Sequence, residues 1–157
     1  LTIITRTKDY ETIALLNEQV HQVHAELCPE HFKPYHYEAV RDFFHSIIEK
    51  PQFVFLLLEH DGKPLGYAWI EVKQYSANAF RKAYRSVFIH QLSISSGHRN
   101  NGYGTSMMDY IGQFARENGI HKIELDYWAS NEHAAKFYEK NGFQVYRQFV
   151  FKDIAPG

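Results

Sequence analysis

In the run Leu92-Ser93-Ile94-Ser95-Ser96-Gly97-His98-Arg99-Asn100-Asn101-Gly102-Tyr103-Gly104-Thr105, an apolar alternation passes through a glycine-bearing turn into helical spacing. A strand that runs through such a turn into the first turn of a helix leaves several backbone N–H groups unpaired and aims them at one point. The positive end of the helix dipole stands behind them, so the turn is a candidate cradle for a phosphate or pyrophosphate. Gly102 and Gly104 matter because side chains there would keep an anion from the backbone. Arg99 adds a fixed charge at the mouth. Two other phosphate cradles do not fit. There is no Gly-x-x-x-x-Gly-Lys-Ser/Thr run, and the third glycine of a dinucleotide fingerprint is replaced by Met107. A dinucleotide site also follows the first strand of a parallel unit, whereas this turn lies past mid-chain. Taken alone, the segment still leaves open a glycine-bearing turn without a ligand.

The flanking sequence supplies the rest of a layered domain. Thr2 to Thr5 reads as a first strand, and Ile13, Leu16, Val20, Val23 and Leu27 recur at helical spacing until Cys28-Pro29. Val40, Phe43, Phe44, Ile47 and Ile48 mark a second amphipathic helix that stops before Pro51. Phe53 to Glu59 is a buried strand, and Asp61-Gly62-Lys63 turns a hairpin into Leu65–Val72. Gln74 to Arg85 is polar and irregular, a mobile loop by composition. Val87 to Ser95 is a central strand. Gly102 to Asn118 is a helix with Met107, Met108, Ile111, Phe114 and Ala115 on one face, ended by Gly119. Ile123, Leu125 and Tyr127 alternate along a fifth strand, Asn131 to Lys140 is a short helix, and Phe143 to Phe151 alternates as a last strand. The order β-α-α-β-β-β-α-β-α-β predicts an α/β (α+β) chain with a mixed sheet and helices on its faces.

Size and composition narrow the function. At 157 residues, with no repeat, low-complexity stretch or linker, the chain is expected to form one domain, 1–157. A net charge of -1 supplies no positive field for nucleic acid or an anionic membrane, and the cluster Arg81, Lys82 and Arg85 reads as a solvated turn. No apolar stretch approaches the ~20 residues that span a bilayer. Cys28 is the only cysteine, so an intrachain disulfide is excluded and a reducing compartment is expected. Leu1 to Tyr10 lacks the basic start and apolar run of a signal peptide, and a cytoplasmic location follows as the expectation. The chain opens on Leu1, as expected of a sequence displayed from just inside its natural start.

Arg99-x-x-Gly102-x-Gly104 resembles the coenzyme A pyrophosphate loop of the GNAT superfamily of N-acetyltransferases. A second family mark follows at the expected distance: Asn131, then Ala134-Ala135, then Phe137-Tyr138-Glu139-Lys140-Asn141-Gly142-Phe143. The resemblance is close over Val87 to about Phe151. Over Leu1 to Arg85 it extends only to the order of elements and the Gly66-Tyr67 start of the third strand. It implies a single domain with an acceptor-side half (1–85) and an acetyl-CoA-binding half (86–151). The implied sheet is mixed, mostly antiparallel and splayed between its fourth and fifth strands, with a bulge in the fourth. Ile89, which breaks the parity of Leu92 and Ile94, fits that bulge; Phe88, which shares their parity, does not. Acetyl-CoA is the implied cosubstrate, with no metal. By the resemblance, Leu92, Ser93 and Ile94 would meet its pantetheine arm, and Arg99, Asn100, Asn101, Gly102, Tyr103, Gly104 and Thr105 its pyrophosphate. Asn131 and Ala134 would bind the arm from the later helix, and Tyr138 would lie beside the sulfur. Family members are often dimers, and the last strand offers an edge for a homodimer.

Acetyl transfer to an amine requires a held thioester, an amine without its extra proton and a neutralised thiolate. An alkyl amine with a pKa of ~10.4 is only about 0.04% neutral at pH 7, a handicap of roughly 4.6 kcal/mol. A backbone N–H of the fourth strand, assigned to Leu92, can polarise the thioester carbonyl. Tyr138 is the expected general acid. His90 is the candidate general base, since a neutral imidazole suits the task at pH 7; a water relay, Glu71 or Glu124 are its rivals. The ten histidines include His21, His24, His31 and His36, but no cysteine or carboxylate completes a ligand set. With Phe32, Tyr35 and Tyr37 they read equally as acceptor-cleft lining or helix packing. The leading function is acetyl transfer to the primary amine of a small molecule. Transfer to a protein N-terminus or lysine and a non-catalytic coenzyme A sensor are the alternatives.

Overall fold

A computed structural model of the chain describes every residue except Asn100, so the expectation placed on that residue lies outside the described residues. The chain divides into two compact units, Leu1–Asp126 and Tyr127–Gly157.

The first unit is a sheet in the order β1-β2-β3-β4-β5, formed by β1 (Thr2–Arg6), β2 (Phe53–His60), β3 (Lys63–Tyr75), β4 (Tyr84–Ile94) and β5 (Ile123–Glu124). β1 to β4 pair antiparallel, and β4 pairs β5 parallel, giving the expected mixed, mostly antiparallel sheet. Asp61 (φ 50°) and Gly62 (φ 78°) turn β2 into β3, the doubly left-handed pair that an Asp-Gly hairpin turn uses. α1 (Tyr10–Leu27) begins where the Asp9 carboxylate accepts from the Thr12 N–H at 3.1 Å. α2 (Tyr37–Ile47) is capped by His36.

Side chains of one sheet face meet α1 and α2. Ile13, Ala14, Phe44, Ile47, Ile48, Phe55, Leu57 and Tyr67 form that core, with Phe53 and Trp69 packed at its margin. Residues of the opposite parity, including Leu56, Leu58, Ile70, Val87 and Ile89, are buried as well. α3 (Tyr103–Glu117) packs on β4 and brings Met107, Met108, Ile111, Phe114 and Ala115 to its buried side.

Two sequence expectations about the first unit change. Gln74 to Arg85 is not a long loop: β3 runs to Tyr75 and β4 begins at Tyr84, and these two rings stack at 4.4 Å. Cross-strand aromatic pairing holds a stretch that composition alone reads as irregular. β5 is shorter than its alternation predicts, because only Val87↔Ile123 and Phe88↔Glu124 pair. Beyond Phe88 the outer edge of β4 has no strand partner among the described residues, which is the expected splay.

The second unit holds α4 (Glu132–Lys140), which ends at Asn141 and Gly142 (φ 89°). The predicted last strand, Phe143 to Phe151, has no ladder partner among the described residues. Val145, Phe149, Val150 and Phe151 are all exposed. Alternation equips a segment to have an apolar face, but a strand exists only where another edge takes its backbone hydrogen bonds. No helix among the described residues is long and apolar enough to cross a membrane.

Candidate functional site

The cradle is built at the end of β4. Gly66, Tyr67 and Ala68 pair with Ile94, Ser93 and Leu92, so β3 fixes the strand from inside, while its other edge has no strand partner among the described residues. Gly66 is required by that closeness: a Cβ there would lie 2.5 Å from the Ser93 carbonyl oxygen. The Ser95 N–H donates to the Leu65 carbonyl at 2.7 Å, and the Ser96 N–H donates to Gln19 Oε1 of α1 at 2.7 Å. A short 3-10 turn, Ser96–His98, leads on to exposed Arg99 and Asn101. Asn101 Nδ2 donates to the His98 carbonyl at 3.2 Å, shaping the loop from within.

Gly102 caps α3 in the left-handed region at φ 77°, and no side chain of the described residues caps the helix. The first helical bond is Ser106 N–H to the Gly102 carbonyl at 2.9 Å. The amides of Tyr103, Gly104 and Thr105 therefore stand ahead of the helical ladder, at the positive end of a 15-residue helix. No acidic residue lies in that first turn to compete. These features fit a diphosphate, with Gly102, Tyr103, Gly104 and Thr105 as the main-chain donors.

The α1/α2 side of the sheet carries the candidate base. The β3–β4 register shifts between Trp69 and Ile70: Trp69 pairs Gln91 and Ile70 pairs Ile89, leaving His90 as the extra residue. This is the bulge that Ile89 indicated. His90 stacks on Trp69 at 4.4 Å between ring centroids and lies near Phe53 and Phe88. Its Nε2 is 2.7 Å from Glu71 Oε1, and both side chains are largely shielded (24% and 20% exposed). An ionised carboxylate only accepts, so neutral His90 places its proton on Nε2 and presents the Nδ1 lone pair as a base. Glu71, read from sequence as a rival base, is the partner of His90 in this pair. Glu124, the other rival, is buried on β5 and accepts from the Tyr84 hydroxyl at 3.2 Å.

Sequence reasoning missed a polar network next to this pair. The buried Tyr67 hydroxyl donates to Gln91 Oε1 at 2.6 Å and accepts from Asn17 Nδ2 at 2.9 Å. Burial pushes the Tyr67 hydroxyl far above the ordinary tyrosine range. The available signal was Asn17 itself, an amide inside the apolar stripe of α1 that must find a partner when buried.

In the second unit, Asn131 Oδ1 accepts from the Ala134 N–H at 3.1 Å and caps α4. Two predicted coenzyme contacts thus meet as a helix cap, which commits one atom of Asn131 to structure. Tyr138 is half-buried among Tyr127, Phe137 and Phe143, with centroids 5.9, 5.3 and 5.4 Å away. Burial pushes its hydroxyl up to about 12, so it carries its proton throughout the neutral range.

In the histidine-rich segment the side chains make local contacts. His24 stacks on Phe32 at 5.1 Å, His21 Nε2 meets the Lys33 carbonyl, and the Tyr35 hydroxyl donates to the Ala14 carbonyl at 2.6 Å. Among the described residues no group of three or more His, Cys, Asp or Glu is placed to hold a metal ion.

The first unit thus brings together the edge of β4, the start of α3 and a histidine–carboxylate pair on the bulge before them. The model of the acetyltransferase (GNAT) family matches residues 20–143, and the chain belongs to that family. The uncharacterized N-acetyltransferase MJ1207 of Methanocaldococcus jannaschii is 25% identical over 116 residues, covering 72% of this chain and 50% of that protein. The chain spans about half the length of the first curated relatives it matches. Among solved structures, a tetramutant of the BH1408 protein from Bacillus halodurans superposes with a TM-score of 0.91 at 22% identity, covering 97% of this chain and 99% of that one. A predicted acetyltransferase from Clostridium acetobutylicum, crystallised with acetyl-CoA, gives 0.69 at 21% identity, covering 98% and 96%. These structures share the fold.

Proposed function

We propose that this chain is an N-acetyltransferase that moves an acetyl group from acetyl-CoA to the primary amine of a small molecule within a ternary complex. The observation that carries the reading is the start of α3, which no side chain caps among the described residues, following an edge of β4 that has no strand partner among them beyond Phe88. Gly102 to Thr105 supply main-chain donors to the pyrophosphate, Arg99 and Asn101 flank it, and Leu92, Ser93 and Ile94 run along the pantetheine arm. By the family motif, Asn131 and Ala134 would bind that arm. The Clostridium acetobutylicum protein, crystallised with acetyl-CoA, supports the choice of donor.

In the proposed step the amine nitrogen forms a bond to the acetyl carbon and the carbon–sulfur bond breaks. His90 Nδ1 takes the ammonium proton, directly or through a water, while Glu71 supports the resulting imidazolium. The Leu92 N–H polarises the carbonyl. Tyr138, protonated at working pH, supplies a proton to the departing thiolate, and the second proton shed by the acylated nitrogen restores the Tyr138 hydroxyl. The ordered ends of β3 and β4, which leave only residues 76–83 between them, favour a small acceptor over a peptide lying beside a long loop. A homodimer belongs to the same reading, since a second copy would cover the exposed apolar side chains of residues 143–151; light scattering at the monomer mass at every concentration would remove it. The direct test is calorimetry on Gly104→Glu. The variant should lose acetyl-CoA binding, and wild-type affinity would refute the cradle.

A further inference from the structure

A side chain from α1 holds the loop that leads into the cradle. β4 ends at Ile94, and of the described residues before Gly102, Ser96, Gly97, Arg99 and Asn101 are exposed, so burial does little to fix this segment. Hydrogen bonds fix it instead. The 3-10 turn Ser96–His98 closes when the His98 N–H donates to the Ser95 carbonyl at 2.9 Å, and Ser95 supplies no side-chain cap. The first amide of such a turn has no acceptor within the turn itself. Gln19 Oε1 provides one, accepting the Ser96 N–H at 2.7 Å from 77 positions away in sequence. The His98 carbonyl then accepts from Asn101 Nδ2 at 3.2 Å, and Gly102 follows as the cap of α3. The series runs from Gln19 to the amides of the cradle. Its base is firm, because Ile13 and Ala14 of α1 are fully buried and Asn17 is bonded to Tyr67.

We infer that Gln19 is a positioning residue for the diphosphate cradle, holding in advance the loop conformation that presents the amides of Gly102 to Thr105. A loop that is not held must be ordered by the ligand, and the apparent dissociation constant rises as the competent fraction falls. This rests on the cradle reading above. It goes further by giving α1, an element of the acceptor-side half, a part in coenzyme affinity.

Gln19→Met tests it, since the variant keeps the length and apolar stem of the side chain and removes the accepting oxygen. In calorimetry it should weaken coenzyme A binding about fivefold, as the loss of one hydrogen bond of ordinary net strength would. Gln22→Met, one turn along the same helix at an amide that reaches only Glu18, should keep the wild-type affinity. Amide exchange at Ser96 should quicken in free Gln19→Met and slow again when coenzyme A is saturating. An unaltered affinity with a lowered unfolding midpoint would make Gln19 a stabilising contact and nothing more, and would overturn the inference. Equal losses in the two variants, or Ser96 exchange that ignores the substitution, would overturn it too. A wild-type protein that binds no coenzyme A would remove the cradle reading and this inference together, whereas wild-type binding with an unaltered Gln19→Met affinity would remove this inference alone.

Discussion

Tyr67→Phe removes a single oxygen and tests whether the Asn17–Tyr67–Gln91 network holds the bulged part of β4 in place. The ring of Tyr67 is fully buried and would stay where it is, so no cavity larger than a hydroxyl opens. Two hydrogen bonds disappear, at 2.6 Å to Gln91 and 2.9 Å to Asn17. A buried polar group left without its partner costs about 1–3 kcal/mol. Asn17 Nδ2 already lies 3.4 Å from Gln91 Oε1 and can tighten onto it, which recovers part of the loss. The expected net destabilisation is therefore about 1–2 kcal/mol, near the lower half of that range. Urea unfolding would read it as a lower midpoint at unchanged slope. A cycle with Asn17→Ala should show coupling of about 1 kcal/mol, because both changes break the same bond. Turnover should fall as well, since Gln91 follows His90 directly in β4. A midpoint within error of wild type, or strict additivity with Asn17→Ala, would refute the network as a support for this strand.

Gly66→Ala should destabilise by about 2 kcal/mol or lower the yield of folded protein, since the new methyl meets a backbone oxygen that can yield only if β3 and β4 separate; an unchanged thermal midpoint would contradict the close approach. Burial, reinforced by neighbouring His21, lowers the His24 pKa below its ordinary value. The unfolded chain then takes up the proton first as pH falls below about 6.5, so the folded state loses stability on the acid side. His24→Phe should flatten that acid-side slope in urea midpoints measured from pH 7 to pH 5. His90→Ala and Glu71→Gln should each lower turnover at least tenfold with the acetyl-CoA KM unchanged. Wild-type turnover would clear both residues. Tyr138→Phe should lower turnover and spare coenzyme binding, and an unaltered rate would remove Tyr138 from the step.

What could be read from sequence was whatever depends on short-range backbone geometry. The Gly102 turn into α3, the Asp61-Gly62 hairpin and the Asn131 helix start each follow from a few consecutive residues, and each stands where the sequence places it. Register is different, because it is set by the partner strand. Simple alternation along β4 sends His90 and Gln91 to opposite faces. The bulge inserts His90 opposite no residue of β3, and both side chains then point to the α1/α2 side. From there His90 reaches Glu71 and Trp69, while Gln91 reaches Tyr67 and Asn17. Leu92 and Ile94 return to the parity of the opposite face, as their pairing with Ala68 and Gly66 records. A single extra residue thus brings the candidate base and its buried support onto one surface. Ile89 hinted at that irregularity, but the identity of the partners, 19 and 74 positions away in sequence, emerges only once β3 and α1 are in place. The segment from Phe143 to Phe151 makes the converse point: its alternation is as regular as that of any strand here, yet no strand ladder includes it among the described residues.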